Sequence, residues 1–169
     1  MMAALFVAPL LWAQPNPAAS IQPELKQLLL LAGVWKGKAT VPATQFREAS
    51  EAPLKAAFQW VLSGQHLEGD LEYTVGGRPY RARLLLSYDF HARQVVAHWA
   101  DNFSSKPITY RGRFAGETLA LEAAWKEDGR TSRVLLRMSL GPADWTLTTL
   151  SDTTGEMIEG VRLTASRSK

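Results

Sequence analysis

The sequence predicts an all-β fold, an antiparallel up-and-down barrel of about ten strands. From Leu54 onward, short runs in which apolar and polar residues alternate follow one another at regular spacing. A period of two is typical of strands with one buried face. The links between these runs are short and carry turn residues such as Gly76-Gly77 and Asp128-Gly129. None of the links is long enough for a crossover helix, so neighbouring strands must pair antiparallel.

The first residues have the composition of a secretory signal peptide. Residues 1–12 are almost wholly apolar but too few to span a bilayer as a helix, and Ala13 supplies the small residue expected at a cleavage site. We expect a signal peptide at residues 1–13, a linker at 14–20 and a single barrel domain at 21–169, and hence a periplasmic or secreted protein. No Lys or Arg precedes the apolar run, so an N-terminal extension without this role is the alternative.

A short helix is predicted just before the barrel, beginning at Pro23 and ending before Gly33. Proline is favoured in the first turn of a helix, and glycine is favoured just beyond its end. The leucines of this segment should form one apolar face that closes one end of the barrel. The face comprises Leu25, Leu28, Leu29, Leu30 and Leu31.

The segment from Gly33 to Ala39 is predicted to be the first strand. Its side chains alternate, so that Trp35, Gly37 and Ala39 share the face that should point inward, whereas two lysines occupy the other face. A glycine within a strand indicates a bend or the close approach of another backbone, which a sharply coiled first strand requires. The least regular internal stretch follows at residues 42–53. It is either a lid over the barrel or a plain solvated connection.

Nine further strands follow, each with an apolar and a polar face. The apolar faces should line a dry interior, and the charged faces should form a solvated outer wall with cross-strand ion pairs. The predicted strands cover residues 54–63, 66–75, 80–88, 94–100, 107–114, 118–126, 131–140, 144–150 and 156–166. The predicted interior includes Phe58, Trp60, Leu62, Leu67, Leu71, Tyr73, Ile108, Tyr110, Phe114, Leu119, Leu121, Trp125, Val134, Leu136, Met138, Leu140, Trp145 and Leu147.

The composition limits the classes of function. With 169 residues, of which 46% are hydrophobic, the chain is long enough for one domain with a sizeable core. The absence of cysteine excludes disulfides, thiolate catalysis and metal sites built on cysteine. The net charge of +3 is spread over many strands rather than concentrated in one segment, so nucleic-acid binding is not expected.

The start of the first strand carries a family resemblance. Gly33 and Trp35, placed just after a short helix, resemble the opening of lipocalins and their calycin relatives. The longer pattern, which continues with Gly37, is similar to the nitrobindin-type heme barrel, with Ala39 in place of a last glycine. More broadly, the leucines before this motif and Tyr88-Asp89 midway resemble an uncharacterised bacterial domain-of-unknown-function family. The resemblance extends over roughly residues 25–167 and implies a barrel fold.

The lipocalin resemblance implies a structural pair between Trp35 and Arg167. In lipocalin-like barrels, an arginine near the end of the last strand lies over the tryptophan of the first strand and bonds to the closing helix. Arg167 shares its strand face with Leu163 and Ala165. Its guanidinium should therefore face inward at the end of the strand, where it can stack on the indole.

The histidines bear on the heme that the nitrobindin resemblance implies. Nitrobindin-like barrels hold heme iron through a histidine close to the C-terminus, but this chain has only His66, His91 and His98, and its last two predicted strands have none. Heme bound through His98 is therefore an alternative rather than the main expectation. No metal site and no other cofactor are expected, since no pair of histidines has ligand spacing.

No sequence motif indicates catalysis. The chain lacks G-x-S-x-G, a P-loop and H-E-x-x-H. Ser87, His98 and Asp101 could be drawn as a triad, but nothing in their spacing brings them together. We therefore expect the protein not to be an enzyme.

Alternation also places the carboxylate of Glu159 inside the barrel. A buried carboxylate must be paired or protonated, because desolvating an unpaired charge is unfavourable by several kcal/mol. A bulge near Gly160 that turns this side chain outward is the alternative reading.

We expect the barrel to bind a small hydrophobic or amphipathic molecule in its interior. The alternatives are an envelope scaffold or interaction domain with a filled core, and a heme-binding barrel. We expect no nucleic-acid partner and no stable membrane insertion of the mature chain, and the sequence leaves the oligomeric state open. The candidate cavity residues are Trp60, Tyr73, Tyr110, Trp125 and Glu159.

Overall fold

The described part of the protein begins just before the predicted N-terminal helix. The computed structural model describes residues 21–44, 48–127, 130–152 and 157–168. The predicted signal peptide and linker, residues 1–20, lie outside the described residues, as do residues 45–47 of the predicted lid. These predictions therefore stay untested.

The described residues form ten strands that close into one antiparallel barrel. Each strand pairs with its neighbours in sequence, and the first strand pairs with the last, which closes the barrel. The predicted fold class is confirmed. The strands are β1 Gly33–Val41, β2 Ser50–Val61, β3 His66–Val75, β4 Arg78–Asp89, β5 Gln94–Asp101, β6 Ile108–Ala115, β7 Thr118–Glu127, β8 Arg130–Leu140, β9 Asp144–Asp152 and β10 Met157–Arg167.

The up-and-down order gives the barrel two distinct ends. Odd-numbered strands begin, and even-numbered strands finish, at the end where the N-terminal segment joins β1. We call this the helix end. We call the opposite end, where odd-numbered strands finish and even-numbered strands begin, the far end.

The N-terminal segment Pro23–Leu31 is a 3₁₀ helix. Leu25, Leu28 and Leu31 are fully buried, whereas Leu29 and Leu30 are each 37% exposed. The prediction that Leu29 and Leu30 share the buried face is wrong, because a 3₁₀ helix has three residues per turn and superimposes every third side chain. The helix packs against β4 and β8; that it closes this end of the barrel stays a prediction. Among the described residues, no helix combines the length and apolar character needed to cross a membrane.

The second strand starts earlier and ends earlier than predicted. It begins at Ser50, inside the predicted lid, and ends at Val61. Leu62 and Ser63 then take left-handed backbone conformations with φ of 50° and 56°, so the strand alternation stops before them. The prediction that Leu62 faces the interior is wrong, since it is 68% exposed.

Elsewhere in the barrel, apolar side chains face the interior and charged side chains face outward, as the alternation in the sequence predicts. Buried apolar side chains from every strand form one continuous core. On the outer wall, Arg83 contacts Asp70 at 2.9 Å and Glu68 at 3.6 Å, and Arg133 contacts Glu122 at 2.7 Å. These ion pairs join adjacent strands, as predicted. Because they are exposed, they contribute little to the free energy of unfolding.

The first and last strands approach each other closely at Gly37. A Cβ atom placed there would lie 1.9 Å from the backbone oxygen of Thr164 and 2.6 Å from Cα of Ala165. Any side chain would therefore force the two strands apart. The glycine marks a close backbone approach, as the sequence predicts.

Candidate functional site

The interior of the helix end is filled by aromatic side chains. Trp35 and Trp145 meet edge to face with ring centroids 6.4 Å apart, and Phe58 meets Trp145 in the same way at 5.8 Å. All three side chains are buried. Edge-to-face contacts of this kind stabilise a packed aromatic core.

Trp35 and Arg167 form the predicted pair at this end. They are directly opposite each other in the β1–β10 register, and the guanidinium carbon lies 4.6 Å from the indole centroid. Trp35 Nε1 donates to the carbonyl of Leu31 at 2.6 Å. Arg167 donates to the carbonyls of Leu30 and Ala32, each at 3.1 Å. The pair thus satisfies carbonyls that the end of a helix leaves without partners. That its role is structural stays a prediction.

A cavity of about 280 Å³ lies inside the far end. It is lined by inward-facing side chains from seven strands. Mostly aromatic residues lie on the side formed by β3 to β6, and mostly aliphatic residues lie on the side formed by β8 to β10. The aromatic side comprises Tyr73, Tyr80, Trp99, Phe103 and Tyr110. Val75 and Ile108 lie on the same strands as the aromatic residues. The aliphatic side comprises Val134, Leu136, Leu147, Val161 and Leu163, and the polar residues of the lining are Asp101 and Thr149.

A polar cluster occupies the aromatic side of the cavity. The indole N–H of Trp99 is shared between the hydroxyl of Tyr80 at 3.1 Å and Oδ2 of Asp101 at 3.2 Å. The other carboxylate oxygen of Asp101 accepts from the backbone N–H groups of Phe103 and Ser104, both at 2.8 Å. These bonds fix the carboxylate at the end of β5, where it lines the cavity.

Burial keeps the tyrosine hydroxyls of the cavity neutral. The rings of Tyr73 and Tyr80 lie 4.6 Å apart, and burial raises the pKa of both phenols well above the ordinary value. Burial, with a smaller contribution from the charge of Asp101, raises the pKa of Tyr110 to about 12. The hydroxyls therefore stay protonated at neutral pH and can both donate and accept hydrogen bonds.

Two of the predicted cavity residues line the cavity. Two others lie in other parts of the barrel. Tyr73 and Tyr110 line the cavity. Trp60 is half-buried near the end of β2, so it belongs to the helix end. Trp125 is 39% exposed near the far-end rim, where it lines a separate surface depression of about 490 Å³ with Ile108. The predictions for Trp60 and Trp125 are therefore wrong.

Glu159 faces away from the interior. The pairing of β10 with β9 shifts register between Glu159 and Val161, so Gly160 forms a bulge. An extra residue in a strand reverses the alternation beyond it. Glu159 Oε2 consequently lies 2.6 Å from Nη2 of Arg162 on the outer wall. The prediction of an inward carboxylate is wrong, and the alternative reading with a bulge is the observed one.

Sequence reasoning missed the polar cluster, although the signal was present. Trp99 shares its face of β5 with the buried Val95 and Ala97. The same alternation extends to Asp101, which we considered as a member of a triad. Applying the period of two to this strand would have placed the indole and the carboxylate together inside the barrel.

The histidines do not fit a heme site. His98 is exposed on the outer face of β5, where Nδ1 lies 3.0 Å from Oγ1 of Thr109. His66 lies at the start of β3 at the helix end, and His91 lies in the turn after β4. None of the three histidines lines the cavity, so the expectation that His98 could face inward is wrong. Asp101 and His98 also occupy opposite faces of β5 and do not form a triad with Ser87.

A larger depression lies on the outer wall. It measures about 680 Å³ and extends from β1 to β5, and its charged residues include Asp70 and Arg83. These two side chains are already paired with each other at 2.9 Å. The interior cavity is therefore the better candidate for a ligand site, because its polar groups are not neutralised by ion pairs.

A closed ten-stranded barrel with one filled end and one small apolar cavity defines a calycin-like β-barrel protein. The chain belongs to the family described as "Protein of unknown function (DUF1579)", whose model matches residues 20–140. The resemblance to a domain-of-unknown-function family is thereby confirmed, whereas the nitrobindin resemblance stays a prediction.

The fold is also similar to a solved structure. The crystal structure of Rv2717c from M. tuberculosis matches with a TM-score of 0.64 and 14% sequence identity, covering 88% of this chain and 99% of that chain. At this identity the likeness concerns the fold alone. No curated protein matches the chain.

Proposed function

We propose that this protein binds a small apolar or amphipathic molecule in the far-end cavity, without catalysing a reaction. The observation that supports this proposal is the cavity itself, about 280 Å³ in volume. Ligand sites in proteins are typically concave, mostly apolar and furnished with a few fixed polar groups, with volumes from about 300 Å³ upward. The cavity is close to the lower limit of that range, so the expected ligand is small.

The volume suggests the size of the ligand. A liquid water molecule occupies about 30 Å³, so the cavity has room for a compound with about nine non-hydrogen atoms. The aliphatic side, which includes Leu136, Leu147 and Leu163, suits a hydrocarbon body. The neutral hydroxyls of Tyr73, Tyr80 and Tyr110 suit a polar head group.

The alternative is a scaffold whose interior is filled. A filled scaffold should be packed throughout the barrel as it is at the helix end, where Trp35, Phe58 and Trp145 are in contact. The far end differs, since aromatic and aliphatic walls there face each other across a gap. We therefore prefer the ligand-binding proposal. Heme binding has no supporting observation, because none of the histidines lines the cavity.

We also propose that the protein acts outside the cytoplasm. The support is the apolar composition of residues 1–12 followed by Ala13. N-terminal sequencing of the protein from the cell envelope and culture medium should find a chain lacking the first residues. A chain retained in the cytoplasm with its full N-terminus would contradict export.

Filling the cavity should abolish ligand binding. Val134 lines the cavity on β8, and its neighbour Leu135 faces the outer wall opposite Glu122. We expect Val134→Phe to weaken binding of 1-octanol and octylamine by at least about tenfold in isothermal titration calorimetry. Leu135→Phe, the matched control, should bind both compounds as the wild type does.

Two outcomes would count against the ligand-binding proposal. The first is that neither compound binds to the wild-type protein. The second is that both variants bind them equally well. Melting curves followed by circular dichroism would verify that each variant is folded.

A further inference from the structure

The cavity has one charged group in its lining. Among the described residues that line it, Asp101 alone carries a charge at neutral pH. Its carboxylate accepts part of the indole N–H of Trp99, which is shared with the hydroxyl of Tyr80. Asp101 is partly exposed and also lines the depression on the outer wall. In the apolar part of its surroundings, its charge is unfavourable unless a partner compensates it.

The protein groups that donate hydrogen bonds to Asp101 are all uncharged. A carboxylate can accept about four hydrogen bonds. Asp101 accepts two backbone N–H groups at Oδ1 and part of one indole N–H at Oδ2, and its carboxylate also interacts with the hydroxyl of Tyr80. All of these donors are neutral.

No cation of the protein neutralises this carboxylate in the part of the chain whose side chains are described. The outer-wall acids differ in this respect. Asp70, for example, is 2.9 Å from the guanidinium of Arg83, and Glu122 is 2.7 Å from that of Arg133. The carboxylate of the cavity is therefore held in place by neutral donors and remains available to a charge from outside the protein.

We propose that the cavity selects ligands with a protonated amine, whose ammonium group pairs with Asp101. This inference rests on the proposed function and deepens it. Aromatic faces attract cations, and rings arranged around an ammonium group are a common means of binding one. Tyr73, Tyr80, Trp99 and Tyr110 supply such rings beside the carboxylate. The ammonium lies against Asp101 and the apolar body extends toward the aliphatic side.

The same geometry disfavours anionic ligands. A carboxylate or phosphate head group placed beside Asp101 would meet a like charge in a partly dehydrated site, where electrostatic repulsion is stronger than in water. No arginine or lysine lines the cavity among the described residues to offset that repulsion. Fatty acids should therefore be poor ligands, in contrast to amines of equal length.

A series of three eight-carbon compounds tests this selectivity. We expect the wild-type protein to bind octylamine at least about tenfold more tightly than 1-octanol, because a charge-assisted hydrogen bond replaces a neutral one. Octanoate should bind more weakly than 1-octanol. Calorimetric titrations at one pH and ionic strength give the three affinities.

Substitution of the carboxylate provides the second arm of the experiment. Asp101→Asn keeps an oxygen that can accept from the backbone of Phe103 and Ser104, and it removes the charge. It should weaken octylamine binding about tenfold while leaving 1-octanol binding unchanged. Asp70→Asn, the matched control on the outer wall, should change neither affinity.

The outcomes separate this inference from the proposed function. If octanoate or 1-octanol binds as tightly as octylamine to the wild type, the amine selectivity is wrong and the binding function stands. If Asp70→Asn loses octylamine binding as much as Asp101→Asn does, the amine selectivity is also wrong, because the effect would then reflect the overall charge of the protein. If none of the three compounds binds, the proposed function itself fails. The wild-type series decides the question even if Asp101→Asn does not fold.

Discussion

At the scale of single residues, Arg167 joins three parts of the molecule. Its guanidinium covers the indole of Trp35 and donates to two carbonyls at the end of the N-terminal helix. The planar group does this because its donors point in different directions within one plane. Lysine has a similar charge but cannot cover the ring and reach both carbonyls together.

Arg167→Lys should therefore destabilise the protein. We expect the free energy of unfolding to fall by about 1–2 kcal/mol, since the carbonyls of Leu30 and Ala32 lose their donors. Urea denaturation followed by tryptophan fluorescence measures the change. Arg162→Lys on the same strand is the control, because its exposed ion pair with Glu159 should contribute less than about 1 kcal/mol. Equal effects of the two substitutions would refute the structural role of Arg167.

Tyr110 should make the protein sensitive to alkaline pH. Its folded pKa is raised to about 12 by burial, whereas an unfolded tyrosine ionises near about pH 10. Because the folded pKa is the higher one, the contribution of the neutral phenol to stability is complete below about pH 10 and is lost as the pH rises toward about 12. Melting temperatures between about pH 8 and about pH 12 should fall less steeply for Tyr110→Phe than for the wild type. Parallel curves would show that Tyr110 does not contribute to the loss of stability at alkaline pH.

At the scale of the elements, the sequence predicted the strands well and their irregularities poorly. The period of two predicts β3 with the observed bounds, His66–Val75, because a strand with one buried face repeats every second residue. It failed at Glu159, where a bulge reverses the faces, and at Leu62, where the backbone turns left-handed. Such local changes of backbone conformation leave the apolar pattern unaltered, so periodicity alone cannot detect them.

The close approach of β1 and β10 depends on Gly37. Gly37→Ala should lower the free energy of unfolding by about 1–3 kcal/mol, because the added methyl group would overlap the backbone oxygen of Thr164. Chemical denaturation gives the value. Lys38→Ala, next to it on the outer face, removes an exposed ion pair with Glu51 and should have a much smaller effect. A tolerated alanine at position 37 would mean that the two strands are not in such tight contact.

At the scale of the whole molecule, the barrel divides into a filled half and a half with a cavity. The sequence indicated a dry interior, but it could not indicate where that interior is empty. The aromatic side of the cavity combines Tyr73 from β3, Tyr80 from β4, Trp99 from β5 and Tyr110 from β6. Whether such side chains meet or leave a gap depends on strand tilt and register around the closed sheet, which are properties of the complete barrel.

The pairing of β1 with β10 also affects how the chain can fold. This pairing brings together residues that are separated by most of the sequence, such as Trp35 and Arg167. The barrel therefore cannot close until the last strand has left the ribosome. Until then β1 and β9 have unpaired edges, and unpaired edges invite association between chains. During synthesis, the nascent protein therefore depends on its final strand for protection against aggregation.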